Sequence, residues 1–300
     1  MPRLMRRLGM AALLTVALLL LPGSLPAGAA GCASVRGPVG DAFPDCSPTG
    51  TVRNVLPPGA TGGTSVVQFA SGQPAPHSRD QLAMYADLVK VAPNLAAAQL
   101  AAYYKSSGFG VAPADVERME TPHGGTVILR DKQSGTPHIF GATRYDTEFG
   151  AGYAAAEDRL FLMDVFRHLG RSQLSAFLGP SASTLALDCS VARVAGYSEQ
   201  DLQAQVDKAR TELSQPFAGG LTEGQQVYAD ATAYSDGVNQ YIQEALADPN
   251  KLPAEYPALQ EAPVPWKLTD IVAIATLVQA IFASPPAAAT RSTRRFCTAP

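Results

Sequence analysis

Apolar and polar positions recur along this chain with two periods. Leu82, Tyr85, Leu88 and Val89 repeat at three- and four-residue spacing from Ser78 onward, and Leu95 to Tyr104 resumes the pattern after Pro93, which predicts two short helices. Thr126-Val-Ile-Leu-Arg130 and His138-Ile-Phe140 are short β-rich runs, and Asp131 to Pro137 between them carries Ser134-Gly135, so a hairpin is predicted. Phe149, Tyr153, Ala156, Leu160 and Met163 then lie on one helical stripe that continues through Leu174 and Leu178 to Gly179. Ser198 to Leu213 reads as an amphipathic helix opened by a serine N-cap. Thr222-x-x-Gln225 is a capping box ahead of Val227, Ala231, Tyr234, Val238, Tyr241 and Ala245 on one face. Pro263 and Pro265 interrupt the chain, after which Thr269 to Ala283 is apolar nearly all round and predicts a buried helix. The pattern therefore predicts an α+β, mostly helical chain with one strand pair and no internal repeat.

The N-terminal region reads differently. Arg3, Arg6 and Arg7 precede an uncharged run from Met10 to Leu21, followed by Pro22, Gly23 and Pro26 and by small-x-small Ala27-Gly28-Ala29. Residues 1–30 are expected to be a secretory signal peptide, whose core falls short of the about 20 residues that span a bilayer. The protein is accordingly expected to be secreted or held in the cell envelope. Ala29-Ala30-Gly31-Cys32 resembles a lipobox with Ala where Leu is preferred, so a lipoprotein is the lesser reading. Residues 31–76, rich in Gly, Pro, Ser and Thr, are expected to form an extended arm over the surface.

Composition narrows the class. Of the residues 46% are apolar and 16% charged, which excludes an intrinsically disordered chain. A net charge of −3 offers no basic footprint for nucleic acid. Cys32 and Cys46 lie close together in the arm and export would permit them to pair, which leaves Cys189 over.

Self-contained chemistry is sparse. His77, His123, His138 and His168 show no zinc-binding spacing. The chain has no G-x-S-x-G elbow and no phosphate-binding loop. Gly150-Ala-Gly152 lacks both the third glycine and the feeding strand of a dinucleotide site. Glu157-Asp158 is a pair of carboxylates, but neighbours on a helix point about 100° apart and cannot converge on one substrate atom. A solvated or salt-bridged helix face is expected there.

Several motifs follow one another in a telling order: Val127-Ile-Leu-Arg-Asp131, Gly135-Thr-Pro-His-Ile139, Phe149-Gly-Ala-Gly-Tyr-Ala154 and Glu157-Asp-Arg-Leu-Phe161. Phe166-Arg167, Gly170, Asp236-Gly-Val-Asn239 and Pro265-Trp266 come after them. This series resembles the α-chain of the penicillin acylase (penicillin amidase) family of N-terminal-nucleophile hydrolases, in its secreted actinobacterial branch. The resemblance runs from Val127 to Phe282 and more loosely back to Cys46.

The resemblance implies an αββα fold, of which this chain supplies the mostly helical α-chain part, incomplete without a β-chain. It implies hydrolysis of a linear amide C–N bond through an acyl-enzyme on the N-terminal serine of that β-chain. The serine's own α-amine, with an ordinary pKa of about 7.7–8.0, serves as base, and the oxyanion hole also lies on the β-chain. The implied partners are the β-chain of the same precursor and a small N-acyl amide substrate. No catalytic residue is then expected in this chain. Arg130, Asp131, Gly135, Pro137 and His138 are implied to build the hairpin, and Gly150 and Gly152 a close backbone approach beside Tyr153. Asp158 and Arg159 are implied to form an ion pair, with Asp236, Gly237, Asn239 and Trp266 as further structural positions. Gln279, Ile281 and Phe282 become candidates for one wall of the acyl pocket, against an ordinary core role. No cofactor is implied for this chain; the complete enzyme can take Ca2+, although the glutamate that some members place after the pocket helix is absent here.

No Ser-Asn dipeptide occurs, and Trp266 is the single tryptophan, so the family's nucleophile motif is missing. From Ser284 the apolar pattern stops. With G+C-rich codons, the stretch after Pro285 reads in a shifted frame as Ala-Gly-Gly-Gly-Asp-Glu-Val-Asp, similar to what relatives carry. The expected organisation is a signal peptide at 1–30, an arm at 31–76, an α-chain-like region at 77–283 and an out-of-frame tail at 284–300. Two functional readings follow: part of an amide hydrolase, or an inactive truncated product or secreted helical binding protein.

Overall fold

The computed structural model describes residues 111–283 without a break and, before them, 33–36, 42–45, 51–52, 67–68, 70–73, 76–80, 82–103 and 105–106. The expected signal peptide, much of the arm, Cys32, Cys46 and the tail with Cys297 lie outside the described residues.

The described chain divides into two compact units, one drawn from Leu25–Phe161 and Asp236–Tyr256, the other from Leu162–Ser235 and residues 257–283. In the first, β1 (Ala33–Arg36) pairs antiparallel with β2 (Ala42–Asp45), and β3 (Thr51–Val52) pairs with β4 (Lys105–Ser106). The arm therefore contains one strand pair, and a strand that pairs with β4 outside it, which its composition does not announce. Between β3 and β4 lie α1 (Leu82–Val91) and α2 (Leu100–Tyr103), near the two helices expected there. The main sheet is β5 (Val116–His123), β6 (Thr126–Asp131) and β7 (Pro137–Gly141), antiparallel in that order. Leu129 stands opposite both Met119 and His138.

The predicted single strand pair is thus a three-stranded sheet. β6 reads as a continuous apolar run because it is central; Thr126, Val127, Ile128 and Arg130 are all buried. β5 escapes the sequence pattern because it is a charged edge, with most of its side chains exposed. Charge is what blunts a free edge against further pairing.

Helix α3 (Arg144–Gly170) opens on a capping box. Asp146 N donates to Thr143 Oγ1 at 3.2 Å, and Thr143 N donates to Asp146 Oδ2 at 3.0 Å. The predicted stripe of Phe149, Tyr153, Ala156 and Leu160 is buried. Arg159 then leaves helical geometry (φ −144°, ψ 17°), and the buried positions become Phe161, Asp164, Arg167 and Gly170. A helical period read straight through this kink misplaces the inner face; Met163, expected on the stripe, is only half-buried. The first unit also holds the C-terminal part of α7 (Glu223–Ala247), buried at Val238, Tyr241, Ile242 and Ala245.

In the second unit α4 (Leu174–Leu178), α5 (Ala182–Ala195), α6 (Glu199–Glu212), α8 (Glu255–Leu259, shared with the first unit) and α9 (Leu268–Ala283) complete the helices. Ser198 caps α6 in a capping box with Asp201, and Thr222 with Gln225 forms the reciprocal pair that opens α7. Helix α5 was not foreseen, although Ser181-x-x-Thr184 closes its own capping box. Asp188 on α5 accepts from Leu174 N at 2.7 Å and Ser175 N at 2.8 Å, so α5 caps the start of α4. The core here joins Val191, Ala195 and Leu277, with Leu169 and Ala280 against them.

Helix α9 corrects an expectation. Ala273 and Leu277 are buried, but Val278 is 37% and Ile281 60% exposed. The helix packs on α5 and α6 through one side, and an all-apolar surface does not by itself bury the other. Cys189 is also corrected: it is disulfide-bonded rather than left over, with its partner outside the described residues. No helix among the described residues is long and apolar enough to cross a membrane.

Candidate functional site

The motif residues collect into two buried ionic clusters, one in each unit. In the first, Arg130 extends from central strand β6 with only 1% of its surface exposed. Its Nε donates to Glu120 Oε1 at 3.2 Å, and Nη1 donates to the Gly135 carbonyl at 3.1 Å and approaches Asp158 Oδ1 at 2.9 Å. Its Nη2 donates to Glu157 Oε2. Burial alone would favour the neutral guanidine, but the carboxylates of Asp158 and Glu157 outweigh it and raise the Arg130 pKa.

One expectation is corrected here. Glu157 and Asp158 meet different atoms, Nη2 and Nη1, of one guanidinium beside the kink at Arg159, so they share a partner without converging on one atom. The Asp158 carboxylate pairs with Arg130 rather than Arg159, whose Nη1 donates to the Asp158 backbone carbonyl at 2.7 Å. Burial raises Asp158 against the pull of Arg130. The face is salt-bridged, as one of the two expected alternatives had it.

The hairpin turn is built by Asp131. Its carboxylate accepts from Ser134 N at 2.7 Å and Thr136 N at 3.2 Å, while His138 Nε2 lies 3.7 Å away. Burial would raise this carboxyl, yet the His138 and Ser134 hydrogen bonds hold it well below the usual carboxylate range. Gly135 sits at φ 65°, the left-handed region that a side chain disfavours, and Pro137 opens β7 opposite Arg130.

Tyr153 donates to Glu244 Oε2 at 2.7 Å and meets Tyr241 edge-on, with ring centroids 5.5 Å apart. Burial and that acceptor push its phenol up. Asp236 accepts from Tyr145 at 2.9 Å, Gly152 is buried and Asn239 half-buried. Gly150 faces the sheet: a Cβ there would come within 2.6 Å of Ile139 Cγ2 and 2.7 Å of Thr126 Cγ2. Gly237 faces backbone: a Cβ would strike the Phe149 carbonyl and lie 2.8 Å from Tyr153 N. Alanine normally gains about 1 kcal/mol over glycine in a helix, but a fixed backbone cannot yield like a side chain. Gly237→Ala is therefore expected to lose a net ~1–2 kcal/mol, since overpacking costs typically ~1–3 kcal/mol, read from the midpoint of urea unfolding.

The second cluster surrounds Trp266, whose indole Nε1 donates to Asp164 Oδ1 at 3.2 Å. Arg167 lies over the ring at 5.4 Å from its centroid. Its Nη2 is 2.8 Å from Asp164 Oδ1 without hydrogen-bond angles, and Nη1 donates to the Val264 carbonyl at 3.2 Å. Alongside, Asp270 accepts from Lys267 N and from Arg171 Nε, both at 2.8 Å, and Arg171 reaches Glu199 at 2.5 Å and Thr269 at 2.9 Å. Arg171, Glu199 and Asp270 do not stand out in the sequence, and the side-chain partners they find in one another are 28 and 99 residues apart.

Of the pocket candidates, Gln279 is half-buried and Ile281 exposed on α9; the Phe282 side chain lies outside what the structure describes. Among the described residues no group of three or more His, Cys, Asp and Glu side chains is arranged to hold a metal. They do not by themselves fit the calcium ion that the resemblance allows.

Together the sheet, the kinked helix and two buried ionic clusters define an α+β scaffold whose motif residues serve packing and charge pairing. The penicillin amidase family model matches residues 126–297, more than half of the chain. The chain belongs to the penicillin amidase family. It is similar to penicillin G acylase of Escherichia coli, 26% identical over 148 residues, which are 49% of this chain and 15% of that protein. The chain thus spans well under a fifth of that relative's length. Among solved structures, thermostable penicillin G acylase from Alcaligenes faecalis, in its tetragonal form, shares 26% identity at a TM-score of 0.40. That comparison covers 53% of this chain and 71% of that one.

Proposed function

We propose that this chain serves as the α-chain part of an exported amide hydrolase that cleaves a linear amide C–N bond of the penicillin or N-acyl type. The observation that carries this reading is the family match over residues 126–297, with Arg130, Asp158, Gly237 and Trp266 all committed to internal contacts. Residues so engaged hold a scaffold, and the nucleophile is then supplied by a β-chain whose N-terminal serine forms the acyl-enzyme with its own α-amine as base. Gln279, Ile281 and Phe282 form one wall of the acyl pocket. The exposure of Ile281 on an otherwise apolar helix supports that placement, since an isoleucine gains nothing from water.

The test is turnover of a chromogenic acyl-amide by the full chain, alone and with a β-chain supplied in trans. No turnover is expected from the chain alone; turnover with the β-chain is expected, and its loss when that chain's first serine becomes alanine. Turnover by the chain alone would sink the proposal.

A further inference from the structure

Edge strand β5 carries two places where acidic side chains have a polar contact that a bound proton would satisfy. At the first, Glu120 Oε1 lies 2.7 Å from Arg118 Nε and 3.2 Å from Arg130 Nε. Glu157 Oε1 lies 2.7 Å from Arg118 Nη2, while its Oε2 takes Arg130 Nη2. The same two cations therefore clamp Glu120 and Glu157 together. Asp158 is a third acid on Arg130, and Tyr153 faces the group from α3. Arg159 is a further cation beside Asp158, Tyr241 also faces the acids, and Glu120 Oε2 is buried without a hydrogen-bond partner. A proton on this pair turns the orphan oxygen into a donor. Burial and the nearby Glu157 charge push the Glu120 carboxyl up to about 7.

At the second place, His77 Nδ1 contacts Asp80 and Nε2 contacts Glu117 Oε2 at 2.9 Å. A carboxylate only accepts, so with both acids ionised both ring nitrogens carry hydrogen and the ring is imidazolium. Burial would lower this histidine, but Asp80 and Glu117 outweigh it and hold it raised. Glu117 and Glu120 belong to the same strand.

We propose that β5 is a proton-held edge: it stays docked while one proton is shared by Glu120 and Glu157 and another sits on His77, and it loosens as the pH rises and both leave. The two signs agree. Each folded-state group binds its proton more tightly than in the unfolded chain. The stabilisation is therefore complete below the ordinary glutamate and histidine values, respectively, and is lost as pH climbs through the raised ones.

Amide hydrogen exchange of the full chain, corrected for intrinsic rates, tests this at about pH 5 and about pH 8, below and above the raised Glu120 value of about 7. Protection of residues 116–123 is expected to fall by about tenfold at the higher pH, a deliberately discounted figure for groups that keep some solvent contact. Protection of β6 should fall less. Glu120→Gln, which mimics the protonated acid, should keep most of the low-pH protection at high pH, and His77→Gln should lose protection already at low pH. Equal protection of β5 at both pH values in the unaltered chain would overturn the proposal. So would an unchanged fall in the Glu120→Gln variant. A carboxyl-carbon NMR titration of the unaltered chain decides independently of whether variants fold: Glu120 titrating near the ordinary value of about 4.3 overturns the idea.

Discussion

Replacing Arg130 by methionine is expected to destabilise the full chain by ~3–5 kcal/mol, the range for removing one partner of a buried ionic group. The side chain is almost wholly buried, and its loss leaves Glu120, Glu157 and Asp158 facing one another with Arg118 and, beside Asp158, Arg159 as the remaining cations. Methionine fills much of the volume, so the loss is chiefly electrostatic. Denaturant unfolding at neutral pH should show it as a lowered midpoint. Acidification should recover part of the loss, because protonated acids no longer repel. Adding Glu157→Gln should restore part of it too, since residues sharing one network are not additive. An Arg130→Met chain as stable as the original would show that the cluster contributes nothing net.

Asp164→Ala carries an expected loss of similar size, ~3–5 kcal/mol, for a different reason. Asp164 is 1% exposed and joins Trp266 to Arg167. Its removal strands a buried indole N–H and leaves the Arg167 guanidinium with backbone carbonyls and an Asp270 oxygen 3.6 Å away. Asp164→Asn should cost less, because an amide oxygen can still accept from the indole while only the charge is lost. Trp266 is the single tryptophan, so its fluorescence reports the site directly. A red-shifted emission is expected for Asp164→Ala under native conditions. Unaltered emission and an unaltered unfolding midpoint would rule out this account of the cluster.

What could be read in advance follows the range of the interactions. The capping pairs at Ser198 and Thr222 and the hairpin around Gly135 use partners within seven residues, so their signals are local and stand in the structure. Strand β5 was missed because little in Val116–His123 alternates; long-range ion pairs to Arg130 and Glu157 hold it. Asp158 was assigned to its neighbour Arg159 because adjacency is visible in a sequence and a kink is not. The exposed side of α9 was misjudged for a related reason: its composition shows that it is apolar, whereas what it packs against depends on α5 and α6. Of the candidate site, the motif order was legible, and the charge pairing within it was not.

The two clusters differ in one respect that bears on synthesis. Arg130 finds its acids 27 and 28 residues further along the chain, while Asp164 waits for an indole 102 residues away. At about 5–20 residues per second, the nascent chain can close the first cluster within seconds of making Arg130. The second holds an aspartate and an arginine, three residues apart, without their indole for roughly 5–20 s after Asp164 is made. During that interval the β6–β7 hairpin and the first cluster can already be formed while Asp164 and Arg167 remain in water.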